Sequence, residues 1–173
     1  MKRNGQIYEA ILAAIDRRKR YEIYHAALEG CDQQGRFTIE LAPVPDMNGT
    51  QRGVVGEGPV GSRLISGLRI FRYELRCWPD GKIPDAEWAV GSPRIITGDE
   101  AVASQLRREV SVVPMLVWGR DEVDAGEMWN SNSVIAWLLV RCGFDLNLID
   151  PPAGGRAPGW DAGRKLALRD RLV

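Results

Sequence analysis

The stretch Asn130-Ser131-Asn132-Ser133-Val134-Ile135-Ala136-Trp137-Leu138-Leu139-Val140 runs from four small hydrogen-bonding side chains straight into seven apolar ones. No polar residue breaks the apolar run, so the segment reads as a buried helix, stopped near Cys142 by Gly143. A helix start exposes unpaired N–H groups and the positive end of the helix dipole. A small polar side chain there is a cap, worth about 1 kcal/mol, or a nucleophile beside a ready-made anion site. Asn130 or Ser131 fills the first role and Ser131 the second; both readings stand on these residues alone.

Working outward, residues 6–19 place Tyr8, Ile11, Leu12 and Ile15 at helical spacing and end in Arg17-Arg18-Lys19-Arg20, a solvated last turn. Residues 21–28 carry Tyr21, Ile23, His25 and Ala27 on one parity and predict a strand. Gly30 and Gly35 bracket a turn, and Phe37, Ile39 and Leu41 alternate with Thr38 and Glu40, completing a hairpin. Pro43, Pro45, Asn48 and Gly49 mark a loop, and a short strand is expected at Val54-Val55. A longer strand sets Phe71, Tyr73, Leu75 and Cys77 opposite Arg72, Glu74 and Arg76, and ends at Pro79-Asp80-Gly81. A helical turn is expected over 85–90, a short strand over 94–97 and a helix over 99–110. From about residue 151 the chain becomes a proline- and glycine-rich tail that carries Trp160. The order predicts one α+β domain spanning 1–173, an antiparallel sheet packed against helices.

Composition narrows the function classes. Apolar residues make up 45% and charged residues 27%, and the formal net charge is zero, so nothing draws the chain to nucleic acid or to an anionic membrane. No apolar stretch of membrane-spanning length or secretion-signal type follows Met1-Lys2-Arg3. Three cysteines without metal-type spacing fit free thiols, and the expected location is the cytoplasm.

Gly56-Glu57-Gly58-Pro59-Val60-Gly61 matches the glycine string of dinucleotide-binding loops, yet residues 62–67 are too short for the crossover helix which that fold requires. A tight turn beside a pocket is the expected reading, with Gly58, Gly61 and Trp129 lining it. His25 is the only histidine, and with scattered cysteines it supplies no credible metal set; no metal and no cofactor are expected. Asp121, Glu122, Asp124 and Glu127 lack calcium-loop spacing and read as a solvated loop. Cys142 sits at the wrong end of its helix for a thiolate, Cys77 on an apolar strand face, and Cys31 in a turn without a helix start. Ser131 is therefore the candidate nucleophile, with His25 taking its proton and Glu40 orienting the imidazole, or Glu29 in its place. Helix N–H groups with Asn130, Asn132 and Ser133 are the candidate oxyanion and substrate contacts.

Several stretches also carry a resemblance. They are residues 24–29 (Tyr-His-Ala-Ala-Leu-Glu), 52–63 around the glycine string, 71–74 (Phe-Arg-Tyr-Glu), 128–133 (Met-Trp-Asn-Ser-Asn-Ser) and 151–160. On these the chain resembles a group of uncharacterised, chiefly actinobacterial proteins. More loosely, its second half is similar to a bacterial domain with a Gly-Pro-Asn-Ser-Asn-Ser/Thr motif before a helix; this chain has Met128-Trp129 in place of Gly-Pro. The layout resembles the circularly permuted papain-like hydrolases, including the NlpC-like and lecithin retinol acyltransferase-like groups. In those, a histidine strand comes first and an Asn-Cys pair opens a later helix. The resemblance implies a permuted papain-like fold, with His25 on the histidine strand and Asn130-Ser131 at the Asn-Cys position.

The leading expectation is a hydrolase or acyltransferase acting on the amide or ester of a small-molecule or peptide substrate. The alternatives are a non-catalytic ligand- or peptide-binding relative, and a structural protein in which Trp129, Trp137 and Trp160 serve as packing anchors.

Overall fold

Alternating apolar residues on three neighbouring segments build the sheet. The computed structural model describes residues 22–44, 53–81, 83, 94–149, 151 and 155–171. The helix expected over 6–19 and the helical turn over 85–90 lie outside them. Strands β1 (Glu22–Ile23), β2 (Leu28–Asp32), β3 (Gly35–Pro43), β4 (Val54–Pro59) and β5 (Arg72–Pro79) come first. Helix α1 (Glu100–Glu109), helix α2 (Ser131–Arg141), strand β6 (Gly155–Arg156) and helix α3 (Trp160–Asp170) follow. The main sheet has the order β2-β3-β5-β4 with every pair antiparallel, and β1 pairs separately with β6 in parallel. The architecture is α+β.

Sheet register follows burial. Ile39 stands opposite Leu28 on one side and Cys77 on the other, and Leu41 opposes Leu75. Phe37, Ile39, Leu41, Tyr73 and Leu75 are buried and share one core with the apolar length of α2. Gly58 pairs with Tyr73, and a Cβ at Gly58 would fall 2.3 Å from the tyrosine ring, so the close approach excludes a side chain. The charged face of β3 and β5 is buried as well. Arg76 donates to Glu74 at 2.9 Å through Nε and to Glu40 at 3.2 Å through Nη1, with all three side chains out of solvent. Buried charges persist only when paired in this way.

Helix α2 is short for a stable isolated helix and carries β-branched Val134, Ile135 and Val140, so its own propensity is modest. Burial makes up the difference. Every residue from Ser131 to Val140 is buried, and each large apolar side chain so placed is worth about 1.5–3 kcal/mol. Helix α1 is capped by Asp99, whose side chain accepts from Ala101 N at 2.8 Å, and it lies against β2. There Arg107 grips Asp32 through Nε at 2.7 Å and stacks 4.2 Å from the Phe37 ring centre.

Four local expectations need correction. Residues 24–27 belong to no strand, so His25 lies in an irregular link between β1 and β2, and the hairpin is formed by β2 and β3 around Gln33-Gln34. Cys31 is consequently in a strand and not in a turn. Gly56 and Gly58 lie within β4, which runs from Val54 to Pro59 and contains an irregular register step between Val54 and Gly56. Residues 94–99 form no strand. The proline- and glycine-rich tail, for which no element was expected, contains α3. That helix packs so closely on α2 that a Cβ at Gly163 would lie 2.0 Å from the Ser133 carbonyl oxygen. No helix among the described residues is long and apolar enough to cross a membrane.

Candidate functional site

The start of α2 resolves the choice of cap. Asn130 is the N-cap: its Oδ1 accepts from Asn132 N at 2.8 Å and from Ser133 N at 3.4 Å. Ser133 Oγ returns the contact by accepting from Asn130 N at 3.0 Å, which closes a capping box. Ser131 is the first helical residue and takes no part in the cap. Its Oγ lies 2.6 Å from His25 Nδ1, although 106 positions separate the two residues. Ser131 is buried and His25 exposed, so the imidazole forms the outer member of the pair.

Around this pair the backbone is tied down on several sides. Asn132 Oδ1 accepts from Ala26 N at 2.8 Å, while its Nδ2 donates to Tyr24 O and to Pro158 O, each at 3.0 Å. Asn130 Nδ2 also donates to Pro158 O, at 2.8 Å. Tyr24 N donates to Arg156 O at 2.9 Å, which ties the same segment to β6. Glu127 locks the turn that follows. Its Oε2 accepts from Gly159 N at 2.9 Å and from Asp161 N at 3.1 Å, and its Oε1 meets Arg156 at 3.4 Å. Gly159 has φ of 90°, a conformation that glycine adopts without penalty and that starts α3 without a side-chain cap of its own.

The candidate residues thus separate into two groups. His25 and Ser131 meet within hydrogen-bonding distance. Asn130, Asn132 and Ser133 surround them, but their polar atoms are engaged by Pro158, Tyr24, Ala26, Met128 and one another. Their observed task is to hold the site together. The hydrogen bond recorded for Glu40 is to Arg76, within the buried charge cluster. Glu29, on β2, meets Arg36 at 3.4 Å on the surface. Ser131 N–H, at the first helical position, takes no part in the capping box.

Of the three residues expected to line a pocket, Trp129 is wholly buried and Gly58 is covered by Tyr73. Gly61 does line one, an open depression of about 440 Å³ shared with Ser62, Arg63, Val117, Arg120, Asp121 and Glu122. There the acidic loop is braced and not merely solvated. Burial would raise the Glu122 carboxyl, but the Val117 N–H and the Arg63 guanidinium outweigh it and hold it below the usual range. The buried Tyr73 hydroxyl donates to Leu116 O at 2.6 Å, and desolvation pushes its pKa far up. Among the described residues no group of three His, Cys, Asp or Glu side chains is placed to hold a metal ion.

The sequence reading missed Glu127, Arg156 and Pro158 as parts of this site. Pro158 contributes a carbonyl oxygen, for which side-chain identity carries no signal. Glu127 looked like one acid among several, and only the fold shows which N–H groups it meets. Comparison with protein-family models, with curated proteins and with solved structures yields no match.

Proposed function

We propose that this chain is a hydrolase or acyltransferase of permuted papain-like type, acting on the amide or ester of a small-molecule or peptide substrate. The observation that supports this reading is the 2.6 Å contact between His25 Nδ1 and Ser131 Oγ at the first turn of α2. With Nδ1 unprotonated, the imidazole accepts the serine proton as Oγ attacks the substrate carbonyl carbon. The resulting oxyanion would face Ser131 N–H and the positive end of the helix dipole. Collapse breaks the bond to the leaving amine or alcohol, and His25 returns the proton to that group. Water, or an acceptor hydroxyl or amine, then attacks the acyl-serine while His25 takes its proton. Release of the acid or of the transferred acyl group returns the hydrogen to Ser131.

A non-catalytic binding cleft is the second reading. It is favoured by the engagement of the Asn130, Asn132 and Ser133 side chains with protein groups, which leaves a sparse set of oxyanion donors. Pre-steady-state turnover of p-nitrophenyl esters separates the two. Catalysis predicts a stoichiometric burst of p-nitrophenol and an acyl adduct on Ser131, both lost in Ser131→Ala. Release without a burst, unchanged by that substitution, contradicts the catalytic reading.

A further inference from the structure

We propose that Asn132 is the positioning residue of the His25–Ser131 pair, its carboxamide acting as a substitute strand that fixes the backbone on both sides of His25. The proposal rests on reading Ser131 as the nucleophile, which gives the fixed geometry its purpose.

In a parallel ladder, one residue of a strand donates its N–H to the carbonyl before its partner and accepts from the N–H after it. The Asn132 side chain reproduces that pattern around His25. Nδ2 donates to Tyr24 O at 3.0 Å and Oδ1 accepts from Ala26 N at 2.8 Å. Tyr24 N in turn donates to Arg156 O at 2.9 Å, beside the end of the β1–β6 pairing. The segment that belongs to no strand is therefore bonded as a strand, first to β6 and then to a carboxamide.

Helix capping does not explain this side chain. Asn130 is the cap, and Asn132 contributes only its backbone N–H to it. The Asn132 side chain is instead buried, and both its donor protons and its acceptor oxygen are used. Position explains it better. Asn132 is the residue after Ser131, so one helical turn carries both the hydroxyl and the group that sets the height of the imidazole above it. Proton transfer from Oγ requires that separation to hold, and a misplacement of about 1 Å costs on the order of 100-fold in rate.

His25 is the only histidine in the chain, so its ring nitrogens give the protein's only imidazole signals in long-range ¹H–¹⁵N spectra. The expected result is an Nδ1 shift that differs between the wild type and Ser131→Ala. Asn132→Ala should move Nδ1 to the Ser131→Ala value, and phosphonate labelling of Ser131 should slow by about 100-fold. An Nδ1 shift in folded Asn132→Ala equal to that of the wild type overturns the proposal, whatever stability is lost. If Asn132→Ala does not fold, the wild type decides through proton exchange. Slow exchange of the Asn132 side-chain amide protons and of Ala26 N–H supports the clamp, and solvent-fast exchange of both overturns it. Identical Nδ1 shifts in the wild type and Ser131→Ala would remove the dyad itself. In that case amide exchange still judges the clamp separately.

Discussion

Pro158 and Asn132 are joined by a 3.0 Å hydrogen bond that brings the C-terminal turn onto the residue next to Ser131. The same carbonyl also receives the Asn130 carboxamide, so both asparagines of the motif converge on one oxygen of the tail. The tail is thus a wall of the site.

That arrangement predicts different costs for neighbouring substitutions. Asn130→Ala removes the cap and a buried hydrogen bond to Pro158, at about 1 kcal/mol each, for a total of about 2 kcal/mol. Ser131→Ala removes only the contact to His25 and should cost under about 1 kcal/mol. Urea denaturation of the two variants checks the order. A Ser131→Ala cost equal to that of Asn130→Ala would mean that Ser131 is structural.

Glu127→Ala leaves Gly159 N–H and Asp161 N–H without the carboxylate that meets them at the start of α3. Charge-assisted bonds of this kind are worth about 1.5–3 kcal/mol, and water recovers part of that at the exposed Asp161. A loss of about 2 kcal/mol in thermal or urea unfolding is expected, with Glu127→Gln intermediate.

How much of this was visible in the sequence depended on what each residue bonds to. Ser131 and His25 stood out, one by its place at a helix start and the other as the only histidine. The link around His25 kept strand parity but not strand pairing, because its partner is the Asn132 side chain, which no periodicity reveals. Helix α3 was hidden within a proline- and glycine-rich tail, where glycine is unfavourable in a helix interior. Gly163 is required by the close approach to the Ser133 carbonyl, a tertiary demand. Glu40 was offered as an orienter because it lies on the hairpin. Its pairing with Arg76 depends on the β3–β5 register, which the strands do not disclose singly.

Acid stability should depend on Asp32. The Arg107 guanidinium bonded to it holds its carboxyl below the ordinary value, against the opposing effect of burial. A carboxyl depressed in the folded state stabilises the fold above its unfolded pKa, about 3.9, and that contribution is lost as pH falls through the folded value. Arg107→Ala should therefore lower stability at neutral pH and flatten the acid limb of a stability-against-pH curve. An unchanged acid limb would contradict the assignment.

Thiol reactivity should be graded. Burial pushes Cys142 up to about 11 and also raises Cys77, whereas Cys31 is exposed on β2. Iodoacetamide near neutral pH should modify Cys31 first, as mapped by peptide mass spectrometry. Faster reaction at Cys142 would reopen the case for a cysteine nucleophile.

The central claim is that His25 activates Ser131, and an alkyl fluorophosphonate tests it most directly. Intact-mass and peptide analysis should find one adduct, on Ser131. His25→Ala should abolish that adduct while the protein stays folded. Labelling of Ser131 at the wild-type rate in His25→Ala, or no labelling of the wild type at all, would contradict it.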